Sequence, residues 1–159
     1  MKKYVITLAK TFQKGHPKQG EETHFREHVL QAIESPRDFT GNIKYSVKVH
    51  TIRTNYPLWE KRIKEIQEGK AVLAIRQWSG LPYRSPQEDI IELTNVGIQK
   101  LEFTRLGFSF RPLIDGNLYA CFSSVARHDG LTYIDWLDWF EKVDITKPLA
   151  IIHFTNFRY

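Results

Sequence analysis

The chain has one cysteine, Cys121, among its 159 residues. That excludes an intrachain disulfide and any structural zinc site built on several cysteines. No apolar run approaches the ~20 residues that cross a bilayer. The start, Met1-Lys2-Lys3-Tyr4, leads into a short run broken at Lys10, without the apolar stretch and small-residue cleavage site of a secretion signal. The expected compartment is therefore the cytoplasm, with no membrane partner. Internal repeats and low-complexity tracts are missing, and no block of like charge exceeds three residues, so there is no basic tail. The common phosphate-loop, dinucleotide, HExxH and GxSxG motifs are absent as well.

What is present is a globular, aromatic-rich composition. Hydrophobic residues make up 42%, aromatics 13% and charged residues 26%, enough apolar content to offset chain entropy in one domain spanning residues 1–159. Lys and Arg total 23 against 18 Asp and Glu, a net charge of +5. This moderate basic excess suits an anionic partner such as RNA or a nucleotide, and it equally serves solubility.

Hydrophobic periodicity predicts a strand over residues 3–12 and a helix over 23–33 capped by Thr23. A β-rich stretch follows at 45–53. Asn55 or Thr54 caps a second helix, with Pro57 in its first turn, Trp59, Ile63 and Ile66 on one face, and Gly69 at its end. Residues 71–78 read as a buried strand, 89–96 and 98–104 as two more, and 118–122 as a weaker one. A third helix starts at Thr132, and a final strand covers 149–157. Loops are expected at 13–22, 35–43 and 79–87. Strands and helices do not alternate strictly, which argues against a doubly wound sheet and for an α+β fold: a small, largely antiparallel barrel with about three flanking helices.

Three stretches carry candidate chemistry. The first is Lys48-Val49-His50-Thr51-Ile52-Arg53. A flat strand puts Lys48 and Thr51 on opposite faces, so a bend near His50 is needed to bring them together. If they meet, a desolvated Lys48 can accept the Thr51 hydroxyl proton, and Arg53 can hold a carbonyl, phosphate or base edge. The same pattern also describes a half-buried strand with surface cations. The second stretch runs from Arg76 through Trp78 and Tyr83 to Arg84 across a Gly/Pro turn. Its aromatics can stack on bases and its arginines can meet phosphates, or its aromatics can simply cap the core. The third is Arg127-His128-Asp129-Gly130-Leu131-Thr132. Asp129 there precedes a helix N-terminus, which favours a carboxylate, and it can complete an acid–base set or serve only as loop structure. His24 and His28 have a permissible metal spacing without a clear third ligand, so no metal is expected. His16 reads as a surface residue and His153 as a satisfied core histidine.

Together these segments, with the opening strand Val5 to Phe12 and the closing Ile151-Ile152-His153-Phe154, resemble the ASCH family, a branch of the PUA-like β-barrels. The resemblance spans nearly the whole chain, and Lys-x-x-Thr-Ile-Arg is its most specific element. It implies a small barrel with a cleft for RNA or a nucleoside. One branch of that family comprises small bacterial amidohydrolases that deacetylate N4-acetylcytidine with a Lys, a Thr three residues on, and a Glu ahead of a later helix. Carried over, those roles fall on Lys48, Thr51 and Asp129, with no cofactor; the residues' own chemistry nominates Arg53, Arg76, Trp78, Tyr83 and Arg84 as ligand-binding. Two departures stand out. Aspartate is one methylene shorter than glutamate, and the Thr51-to-Asp129 spacing is longer than in the small enzymes. The expected role is recognition of RNA or a modified nucleoside. Amide hydrolysis is the alternative, and a protein-interaction module a second one.

Overall fold

The computed structural model describes residues 1–34, 47–107, 109–119 and 121–159. The expected loop at 35–43 lies outside them. The described chain is mixed α+β, with four helices and two sheets. In order, the elements are β1 (Lys2–Leu8), α1 (Phe25–Glu34), β2 (His50–Arg53), α2 (Tyr56–Gln67), β3 (Ala71–Trp78), β4 (Gln87–Leu93), β5 (Gly97–Leu106), β6 (Ser109–Ile114), β7 (Asn117–Leu118), α3 (Phe122–His128), α4 (Tyr133–Trp139) and β8 (Leu149–His153).

One sheet has the order β1-β3-β4, with β1 parallel to β3 and β3 antiparallel to β4. The other is wholly antiparallel, in the order β2-β8-β5-β6-β7. The fully apolar stretches of β3 and β8 follow from this placement. Each is a central strand of its sheet, and consecutive residues, which point to opposite faces, are buried along both: 71–75 of β3 and all of β8.

Helix α2 ties the two sheets together. Asn55 sits at φ 63 and its side chain accepts from the Leu58 N–H, Pro57 occupies the first turn, and the apolar face of Trp59, Ile63 and Ile66 is buried. The helix packs against β3 of the first sheet and against β5 and β8 of the second. Ile6, Leu8, Leu73 and Ile75 from one sheet join Ile52, Leu101 and Ile151 from the other in one hydrophobic cluster with that helix face.

Several expected boundaries move. β1 ends at Leu8 instead of continuing to 12. Beyond it, Thr23 donates its hydroxyl to the Ala9 carbonyl (2.7 Å), pulling the chain into the entry of α1. β6 and α3 were not expected from the pattern, because Ser109–Ile114 contains Pro112 and α3 has only seven residues. The weak strand expected at 118–122 is only the two-residue β7. β8 stops at His153, after which the chain turns and Arg158 donates to the Thr155 carbonyl (2.8 Å). The Arg158 guanidinium lies over Gly97, where a Cβ would displace the end of that flexible side chain.

Ile63→Ala removes a fully buried side chain from the α2 face. The expected loss is about 2–5 kcal/mol in urea unfolding, whereas Leu58→Ala on the exposed face stays within about 1 kcal/mol. Equal losses for the two variants would remove α2 from its role as the brace between the sheets.

Candidate functional site

The centre of the site is built by the end of α3. Asp129 is its C-cap residue, Gly130 follows at φ 81, and two bonds close the turn: Gly130 N–H to the Arg127 carbonyl (3.0 Å) and Leu131 N–H to the Ala126 carbonyl (3.0 Å). That is the double hydrogen bond of a glycine-terminated helix. Asp129 therefore sits at the carbonyl end of one helix as well as ahead of the next, α4, which Thr132 caps. The carbonyl end disfavours an anion, so the sequence-based expectation of dipole stabilisation is corrected: the carboxylate is held by a cation.

That cation is Lys48. Its Nζ donates to the Asp129 carboxylate at 2.6 Å and to the Asp129 carbonyl at 2.7 Å, and it lies 4.4 Å from the Phe25 ring centroid. Both residues are deeply buried, Lys48 at 2% exposure and Asp129 at 3%. Lys48 does not belong to β2. It forms a separate bridge with Asp129, its N–H bonds to the His28 carbonyl (3.1 Å), and Val49 N–H bonds to the His128 carbonyl (2.9 Å). The chain leaves this bridge and enters the sheet only at His50. Glycine at 130 suits the φ of 81, which side chains rarely adopt, and a Cβ there would also press on the Lys48 Cβ at 3.2 Å.

Burial sets the electrostatics. It pushes the Lys48 ammonium below its usual pKa, and the attraction of Asp129 only partly restores it. It pushes the Asp129 carboxyl upward, against the pull of Lys48 and Arg53. Both shifts narrow the gap between the ion pair and the neutral amine–acid pair, the condition under which such a pair can trade a proton. Around it stand polar atoms without a hydrogen bond: His28 Nδ1, Arg53 Nε and Trp136 Nε1. The Trp136 indole N–H lies close enough to Asp129 to lower its carboxyl as a hydrogen-bond donor, though not in the geometry of a normal hydrogen bond.

The other expected site residues divide. Thr51 is buried on β2, opposite Ile152, and among the described residues no hydrogen bond joins it to Lys48 or Asp129. Arg53 crosses from β2 to donate to the Thr7 carbonyl of β1 (3.0 Å), and it lies within electrostatic reach of Lys48, Asp129 and Tyr83. Arg76 is taken up by an ion pair with Asp89 (2.7 Å). Trp78 and Tyr83 pack with ring centroids 5.1 Å apart at the β3–β4 turn, where Tyr83 is 91% exposed at φ 62 and Arg84 is exposed. Arg53, Arg76 and Arg84 thus do not stand as three free cations.

A cavity of about 210 Å³ lies elsewhere, lined by Lys10, Glu22, His24, Arg26, Glu27, Gln77 and Glu88. None of the expected catalytic residues lines it. It adjoins the centre through α1, where Arg26 follows Phe25, and the Gln77 Oε1 on its wall has no hydrogen-bond partner. Among the described residues no group of three or more His, Cys, Asp or Glu is placed to hold a metal.

One cluster escaped the sequence. The pairing of β2 with β8 sets His50 opposite His153, and the end of α3 brings His128 beside them. His50 is fully buried, with Nε2 2.6 Å from the Tyr159 hydroxyl, and His128 Nδ1 is 3.1 Å from the same hydroxyl. His153 donates to Gln99 Oε1 (3.0 Å) but leaves Nδ1 unpartnered, so it is only half satisfied. The histidines were legible singly; their convergence needed the strand register. His16, expected at the surface, is instead buried, donating to the Asp135 carbonyl (3.0 Å) and packed on Phe12.

No family model matches the chain, and neither does any curated protein or solved structure.

Two expectations follow. Lys48→Met strands the buried Asp129 carboxyl and costs about 3–5 kcal/mol in urea unfolding, while the double variant Lys48→Met/Asp129→Leu costs less than the single one; a double variant as unstable as the sum of its singles refutes the coupling. The second concerns pH. Burial lowers His128 to about 4 and His153 to about 3, against an ordinary 6.5. The unfolded chain therefore binds more protons below pH 6.5, and stability is lost as pH falls from 6.5 through those values. The urea midpoint should drop between pH 7 and pH 5, and drop less in His153→Gln. A midpoint equal at both pH values contradicts the neutral, buried state of these rings.

Proposed function

We propose that the chain is an ASCH-type, PUA-like domain that recognises a nucleoside-type ligand, free or within RNA, at the Lys48–Asp129 centre. The observation that carries this reading is the buried ion pair ringed by unpartnered donors. Arg53 Nε and Trp136 Nε1 suit the carbonyl and ring-nitrogen acceptors of a base. Arg53 also links the centre electrostatically to Tyr83, and the Trp78–Tyr83 pair offers a stacking surface. The two sheets and their brace would correspond to the barrel of that family. With Arg53 inside and Arg76 paired to Asp89, base recognition accounts for these residues better than phosphate contact alone.

A specific observation favours a second reading, hydrolysis of an N4-acylated cytosine. A proton moved from Lys48 to Asp129 turns the pair into an amine and a carboxylic acid, a base and an acid side by side. In this scheme Lys48 takes the Thr51 hydroxyl proton and Thr51 Oγ1 attacks the amide carbonyl. The Asp129 acid protonates the leaving amine. Water then attacks the acyl-threonine ester, gives a proton back to Asp129, and Lys48 returns its proton to Thr51. Arg53 and the Trp78–Tyr83 turn would hold the ring.

The test combines binding and turnover with N4-acetylcytidine, cytidine and a short single-stranded RNA. Saturable quenching of tryptophan fluorescence by a nucleoside, weakened at least about tenfold in Arg53→Ala, supports recognition. Release of cytidine by the wild type, reduced about 10²–10⁴-fold in Lys48→Ala and Thr51→Ala, establishes hydrolysis. Binding of RNA alone, falling steeply with salt, would replace base recognition with phosphate contact. Binding of none of the three overturns the proposal.

A further inference from the structure

Hydrolysis of an amide to a carboxylate and an unprotonated aromatic amine leaves one proton behind per turnover. When the product acid ionises against the Lys48–Asp129 pair and departs as an anion, the pair carries one proton more than at rest. The pair is buried, so this proton needs a route to water.

We infer that His50, Tyr159 and His128 form that route, a proton relay leading from Asp129 to the surface. The inference rests on the hydrolase reading above. Its support is geometric. His50 Nδ1 faces the Asp129 carboxylate at 3.9 Å and has no hydrogen-bond partner. His50 Nε2 lies 2.6 Å from the Tyr159 hydroxyl, and that hydroxyl lies 3.1 Å from His128 Nδ1. His128 is only partly buried. Closing the first gap to hydrogen-bond reach takes about 1 Å of movement by the Asp129 carboxyl.

Two opposite tautomer sets satisfy these contacts, and the relay uses the outward one: His50 carries its proton on Nε2 and donates to Tyr159, Tyr159 donates to His128 Nδ1, and His50 Nδ1 is the acceptor that faces Asp129. Burial keeps the rings neutral and the phenol protonated, which this arrangement requires. A proton leaving Asp129 binds His50 Nδ1. The Nε2 proton moves to Tyr159, the Tyr159 proton moves to His128 Nδ1, and His128 releases its other ring proton to solvent. One proton enters and one leaves, and hydroxyl rotation with tautomer exchange restores the start. The charged or titratable neighbours are Lys48 and Asp129 at the inner end, His153 across from His50, Tyr119 and Cys121 beside Tyr159, and Arg127 beside His128. Gln99 holds the Tyr159 backbone through its N–H (2.9 Å) and carbonyl (3.3 Å), which fixes the hydroxyl between the two rings.

Tyr159→Phe removes only the bridging oxygen. With N4-acetylcytidine as substrate, the first turnover should proceed as in the wild type, because the relay acts after bond cleavage. Steady-state turnover in weak buffer should fall by about a hundredfold, and high concentrations of imidazole should restore it. His128→Gln should give the same split, which keeps the test open should Tyr159→Phe fail to fold. Wild-type turnover with neither variant slowed overturns the relay alone. So does an equal loss of the first turnover without buffer rescue, which marks a structural role. Absence of wild-type turnover overturns the hydrolase reading and the relay with it.

Discussion

The contact between Lys48 and Asp129 organises this molecule. A buried carboxylate at the carbonyl end of α3 and a buried ammonium are each unfavourable alone, and each is tolerable only because of the other. Their union draws the chain before β2 onto the end of α3, spaces Gly130 against Lys48, and brings α1 close through the His28 carbonyl. Replacing such a pair with apolar residues is often harmless to stability, so stability alone does not account for its presence at the junction of three elements.

The hydrogen bond from Arg53 to Thr7 has a comparable place on a smaller scale. It is a side-chain link from β2 of one sheet to β1 of the other. It is also one reason why a moderately basic sequence does not present a simple basic face. Two of the arginines nominated for an external partner are taken up by internal joints: Arg53 on Thr7 and Arg76 on Asp89.

Much of this was legible in the sequence, for identifiable reasons. Helix α2 could be read because cap, proline and apolar stripe agree, and β3 because its length and apolar content are those of a strand covered on both faces. The closeness of Lys48 and Asp129 was expected from a resemblance and from chemical complementarity. Its form was not, because helix α3, which aims Asp129, is too short for periodicity to register. The histidine cluster was invisible for a different reason. Its members lie on β2, α3 and β8, and only the register that sets His50 against His153 makes them neighbours. His16 was misplaced because a Gly/Pro-rich context suggests exposure, while the ring's apolar faces found Phe12 and Trp139.

The separation of 81 residues between Lys48 and Asp129 bears on the order of folding. Closing a loop of that length costs about 4 kcal/mol of chain entropy before any contact forms. The β3–β4 and β5–β6 hairpins close far shorter loops and can form first. The strand pairing of β1 with β3, and then the bridge at Lys48, must wait for segments distant in the chain. The centre is thus assembled on a scaffold that is already largely in place. A nascent chain would carry its lysine and its carboxylate as separate, solvated charges until that final docking.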